Sequence, residues 1–268
     1  MLWNAKNGRV EINGSGMEYV SFGSGDKKLV ILPGLSDGLA TVKGKALMLA
    51  VPYRKYLKEF TVMMFSRPDP LPEGHSIRDM AEDQAAALRK LGIGTCSVLG
   101  VSQGGMIAQV LAAGRPETVE KLVLAVSAPC VNEISRACVE KWISLARKGD
   151  HKALMIDTAE KSYSAAYLEK YRKLYPVIAS IGRPKDYRRF LTNAAAILSF
   201  DGSEELEKIS CPSLIIAGKD DRIVGPEASY EMHERIAGSE LHVYEGLGHA
   251  AYEEAPDFNE RVFSFLRS

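Results

Sequence analysis

The chain has 268 residues, 46% of them hydrophobic and 25% charged, an ordinary globular composition that excludes fibrous, low-complexity and disordered classes and is within reach of one large α/β unit. Its formal net charge of +0 gives no electrostatic ground for a nucleic-acid partner. Four cysteines without CxxC spacing, no apolar leader and no run of about 18 apolar residues lead us to expect buried reduced thiols and a cytoplasmic protein with no integral membrane segment.

In chain order, Val10–Ile12 and Met17–Phe22 flank Asn13-Gly14 and read as a hairpin. The continuous apolar runs at 29–33 and 61–65 read as strands buried on both faces, with an interrupted helical pattern between them that contains Pro52. Ser76 opens a helix with a Ser-x-x-Asp variant of the capping box, and Gly92 ends it. A strand at 96–100, a helix from Gln103 to Ala113 and a strand at 121–126 follow. From 129 to 200 the alternation gives way to helical patterns rich in aromatics, and it resumes with strands at 213–218 and 240–245. Alternating strand and helix implies a mainly parallel, doubly wound sheet with right-handed crossovers. We expect an α/β core from 1–128 and 201–268, interrupted by an inserted helical cap at 129–200.

The sharpest chemical signal is Gly100-Val101-Ser102-Gln103-Gly104, a G-x-S-x-G at a strand-to-helix junction. A serine on such a turn adopts a strained backbone that lifts Oγ above the carboxyl edge of the sheet, and the following helix aims its N-terminal amides there. A serine hydroxyl is a weak nucleophile, so it needs a base within hydrogen-bond reach and a carboxylate to orient that base. Asp220 and Asp221 follow the strand at 213–218, and His249 follows the strand at 240–245, which places all three on one edge. The other histidines lie within a strand or helix or precede helices. The N–H of Gln103, immediately after Ser102, supplies one donor to a developing oxyanion.

These segments resemble the α/β-hydrolase family through VLGVSQGGMIAQ at 98–109, PETVEKLVLA at 116–125, IIAGKDDRIV at 215–224 and YEGLGHAAYEEAP at 244–256. The resemblance implies a Ser-His-Asp triad of Ser102, Asp221 and His249, the acid standing three residues after Gly218. It also implies a second oxyanion donor in Pro33-Gly34-Leu35, the N–H of Leu35, at a turn where relatives often carry His-Gly. The implied activity is hydrolysis of a carboxylic ester or related acyl compound. A carbon–carbon or enol-lactone hydrolase, a perhydrolase, or a ligand-binding receptor on the same scaffold are the alternatives.

Tyr163, Tyr167, Tyr171 and Tyr175 recur every four residues, which would set them on one helix face; with Trp142 the first three are candidates to line a substrate pocket, against a role in packing the cap. Residues 131–200 hold 13 Lys and Arg against 7 Asp and Glu, and Arg188-Arg189 is the place to look for a carboxylate site if the substrate is anionic. Neither phosphate-binding glycine motifs nor metal-ligand spacings are present, so no cofactor and no metal is expected, and the partners are a small acyl substrate and water.

Overall fold

A computed structural model describes residues 2–178 and 182–268. Strands β1 (Lys6–Ile12) and β2 (Ser15–Phe22) form the hairpin, with Asn13 and Gly14 both at positive φ as a type I′ turn requires. Then come β3 (Lys27–Leu32), the short α1 (Ala46–Ala50), β4 (Phe60–Phe65), α2 (Ile77–Lys90), β5 (Cys96–Val101), α3 (Gln103–Gly114) and β6 (Val119–Ala125). Helices α4 (Glu133–Arg147), α5 (His151–Ser162), α6 (Ala165–Tyr171), α7 (Tyr175–Ile178) and α8 (Arg188–Leu198) separate β6 from β7 (Ser213–Gly218). The chain closes with α9 (Glu227–Arg235), β8 (Glu240–Tyr244), α10 (Ala251–Glu254) and α11 (Phe258–Arg267).

The strands form one eight-stranded sheet in the order β1-β2-β4-β3-β5-β6-β7-β8. β1 and β2 are antiparallel, β2 meets β4 antiparallel, and every pairing from β4 to β8 is parallel. The apolar runs explain this: successive side chains point to opposite faces, so a strand with no polar alternation needs cover on both. Val30 and Leu32 join one core with α2, α3 and α9, whereas Leu29 and Ile31 join the other with α1 and α11. The capping box holds, with Ser76 accepting from the Asp79 amide and Asp79 accepting from that of Ser76.

All four cysteines are free thiols; Cys96 and Cys138 are buried, while Cys130 and Cys211 are part-exposed. Among the described residues no helix is long and apolar enough to cross a membrane. Because β5, β7 and β8 run parallel, the loops leaving their carboxyl ends converge on one edge, and the candidate site lies there.

Candidate active site

Ser102 sits between the last residue of β5 and the first of α3, at φ 54 and ψ −120. This is the left-handed region that L-residues rarely adopt, and it is held by close packing on both sides. A Cβ on Gly104 would lie 1.9 Å from the Leu32 carbonyl oxygen, and one on Gly100 would lie 2.5 Å from that of Gly104. Both collisions are with backbone, which cannot swing aside. The two glycines therefore let α3 fold directly back against β3 and β5 with Ser102 at the apex.

His249 Nε2 lies 2.9 Å from Ser102 Oγ, and His249 Nδ1 lies 2.7 Å from Asp221 Oδ2. The other Asp221 oxygen accepts the amides of Ile223 and Val224 at 2.8 and 3.0 Å. Asp221 is buried and Asp220 exposed, so only the former faces the imidazole. Burial pushes the Asp221 carboxyl up, but the His249 charge, the His249 hydrogen bond and the two amides outweigh it and hold the group below its ordinary value. The acid and histidine loops are bound together: the Asp220 amide donates to the Leu247 carbonyl at 2.9 Å, and a Cβ on Gly218 would strike the Gly248 oxygen at 2.1 Å. The Ala250 amide donates to the Ser162 carbonyl at 2.8 Å, which ties the histidine loop to the end of α5.

Leu35 and Gln103 line the same cavity as Ser102 and His249, and Gly34 brings its turn to within 3.3 Å of the Ser102 Cβ, measured from an ideal Cβ position. The cavity measures about 140 Å³ and is walled largely by Leu39, Met106, Val139, Trp142, Leu154 and Phe190. Ser135, Thr158 and Ser162 add hydroxyls and Tyr252 a further ring. Among the described residues that line it there is no carboxylate, lysine or arginine.

Trp142 lines this cavity, its indole N–H donating to Asp157 at 2.8 Å. Tyr163, Tyr167 and Tyr171 do not. Tyr163 leaves α5 in an extended conformation, and Ser164 caps a new helix by accepting from the Tyr167 amide, so the period-four stripe runs across a break between two helices. The Tyr163 and Tyr167 rings stack with centroids 4.1 Å apart, the Tyr171 ring lies tilted 4.4 Å from that of Tyr167, and the Tyr163 hydroxyl donates to Glu253 outside the cavity. Arg188 is exposed beside Asp186, and Arg189 turns into a buried cluster with Asp37, so neither lines the cavity. No local sequence pattern marks that cluster, in which Arg67 also takes part, or the pocket hydroxyls.

A family pattern described as the alpha/beta hydrolase fold matches residues 63–256. A protein of Serratia proteamaculans (strain 568) that bears the name carbamate hydrolase RutD is 26% identical over 199 residues, covering 73% of this chain and 74% of its own. MGS-M2, an alpha/beta hydrolase enzyme from a Medee basin deep-sea metagenome library, is similar with a TM-score of 0.85 at 20% identity, over 97% of this chain and 98% of that one. The enol-lactonase from Burkholderia xenovorans LB400 is similar with a TM-score of 0.81 at 21% identity, over 97% and 100%. At such identities these two likenesses are of fold, whereas the family match spans most of the chain: this protein belongs to the α/β-hydrolase fold family.

Proposed function

We propose that the chain is a serine hydrolase that cleaves a carboxylic ester, or a related acyl substrate, through an acyl-enzyme. The observation that carries this reading is the hydrogen-bonded line from Ser102 Oγ through His249 to Asp221, opening on an apolar cavity. His249 Nε2 takes the Ser102 proton as Oγ attacks the carbonyl carbon, and Asp221 holds the imidazole in the required tautomer and offsets its positive charge. The carbonyl oxygen, now an anion, accepts from the backbone N–H groups of Gln103 and Leu35. Collapse of the adduct breaks the bond to the leaving group, which departs with the proton held by His249. Water then gives a proton to His249, attacks the acyl carbon and releases the acid, and Oγ regains its proton.

In this reading residues 129–200 act as a cap over Ser102, with Trp142 as a wall of the substrate pocket. The cavity volume matches a small apolar group, since a cavity of about 150 Å³ holds a benzene-sized molecule. The uncharged lining favours a neutral acyl group over one bearing a carboxylate. The free thiols fit a reducing, cytoplasmic setting.

A substrate panel tests the proposal: p-nitrophenyl acetate, butyrate, benzoate and decanoate, a p-nitrophenyl hemisuccinate, a p-nitrophenyl carbamate and an enol lactone. We expect the highest kcat/KM on butyrate or benzoate, with decanoate and hemisuccinate poor. A carbamate or lactone far ahead of every ester would move the substrate class while keeping the cycle. The absence of Ser102-dependent turnover on all seven, with a ligand still raising the melting temperature, would point to a receptor instead.

A further inference from the structure

Three charged side chains that the proposed cycle does not use are packed beside it. Asp37 and Arg67 are 2% and 3% exposed, and Arg189 reaches them from α8. Asp37 belongs to the single 3-10 turn Leu35–Gly38, which carries the Leu35 amide. Its Oδ2 accepts from the Arg67 backbone N–H at 3.0 Å and from Arg189 Nη2. Arg67 Nη2 donates to the side-chain oxygen of Gln103 at 3.1 Å. The Gln103 amide group donates in turn to the Asn193 carbonyl at 2.7 Å, and Asn193 Nδ2 donates to the Arg189 carbonyl at 2.8 Å. Arg189 closes the ring through Nε to the Asp37 carbonyl at 3.1 Å and Nη2 to the Arg67 carbonyl at 2.9 Å.

Burying two guanidinium groups against one carboxylate is a poor way to stabilise a fold, because desolvation offsets most of the attraction. Burial pushes the Arg67 guanidinium down to about 10, against the pull of Asp37, so it stays cationic at neutral pH. The cluster's position is more informative than its energy. It grips the turn that holds one oxyanion donor and the side chain of the residue that holds the other, and through Arg189 and Asn193 it fixes both to α8. A Cβ on Gly38 would lie 2.8 Å from the Phe190 Cα, so the same turn is also pressed directly onto that helix.

We infer that Arg67 is a positioning residue for the oxyanion site: with Asp37 and Arg189 it sets the separation of the Leu35 and Gln103 amides and locks that separation to the packing of α8. The inference rests on the proposed acyl-transfer reading for its chemistry, but the positioning itself can be measured without turnover. The test compares wild type with Arg67→Met, Arg67→Lys and Asp37→Asn, and takes Arg188→Met, which changes an exposed neighbour, as control. Two quantities are read: kcat and KM on the best ester of the panel, and hydrogen exchange of the amides at 34–38 and 103.

Losing an oxyanion donor lowers kcat by about 10²–10³, and misplacing one by an ångström can cost about 10². The expected result is a kcat lowered about 10- to 100-fold with KM within about twofold, and exchange at those amides accelerated at least about tenfold, while the control matches wild type. A folded variant with unchanged kcat and unchanged exchange overturns the inference, as does one that raises KM alone. If Arg67→Met does not fold, Arg67→Lys and Asp37→Asn decide the matter by the same criteria. If wild type and Ser102→Ala turn over esters equally, the acyl-transfer reading fails and the exchange measurement alone decides whether the clamp positions the two amides.

Discussion

His249 Nδ1 lies 2.7 Å from Asp221 Oδ2, and the second oxygen of that carboxylate is held by the Ile223 and Val224 amides. Each of these carboxylate contacts is thus an acceptor contact. An asparagine keeps the shape but must either present its NH₂ to His249, which forces the wrong tautomer, or turn it against the two amides. Asp221→Asn is therefore expected to lower kcat by about 10⁴ with KM little changed, as steady-state kinetics on the folded variant will read.

The lowered Asp221 pKa also fixes a pH dependence. A carboxylate whose folded value lies below its unfolded value of about 3.9 contributes stability in full above that value and loses it as pH falls through the folded one. The unfolding free energy of wild type minus that of Asp221→Asn is expected to shrink as pH falls from about 5 to below about 4. Denaturant melts across this range read it directly.

Ser102 stores strain at its positive φ, of order 1–3 kcal/mol for a residue with a Cβ. Ser102→Gly is expected to melt about 2–4 °C above Ser102→Ala, both lacking the hydroxyl. The neighbouring glycine behaves in the opposite sense. Gly104→Ala meets the Leu32 carbonyl at 1.9 Å and is expected to cost about 3 kcal/mol, visible in calorimetry, together with activity.

Trp142 bridges the pocket and the helical segment through Asp157, which also pairs with Lys141 and Lys161. Burial pushes the Asp157 carboxyl up, and its hydrogen bonds to both lysines and the indole more than reverse this. Truncating the indole enlarges the cavity. Trp142→Ala is expected to shift the preferred acyl chain upward by about two or more methylenes at a stability cost of about 3 kcal/mol. An unchanged chain-length profile in a folded variant would remove Trp142 from the substrate wall.

What could be read from the sequence was what local rules govern. Asn13-Gly14 demanded its turn, Ser76 and Asp79 their capping box, and the glycines around Ser102 their tight junction, each within a few residues. The convergence of Ser102, Asp221 and His249 on one edge was legible because parallel strands send their loops to the same side. The tyrosine stripe misled because its period of four continues through a helix break. Ser164, standing as a helix cap between Tyr163 and Tyr167, was the available sign of that break. The Asp37, Arg67, Gln103 and Arg189 cluster drew on four distant stretches, none distinctive alone, and only the packing of α8 against the Leu35–Gly38 turn brings them together.

The most direct test of Ser102 as nucleophile is the turnover of p-nitrophenyl butyrate by purified Ser102→Ala beside wild type. A loss of about 10⁴-fold or more in kcat, with the melting curve retained, is the expected result. A folded Ser102→Ala protein that hydrolyses the ester as fast as wild type would contradict it.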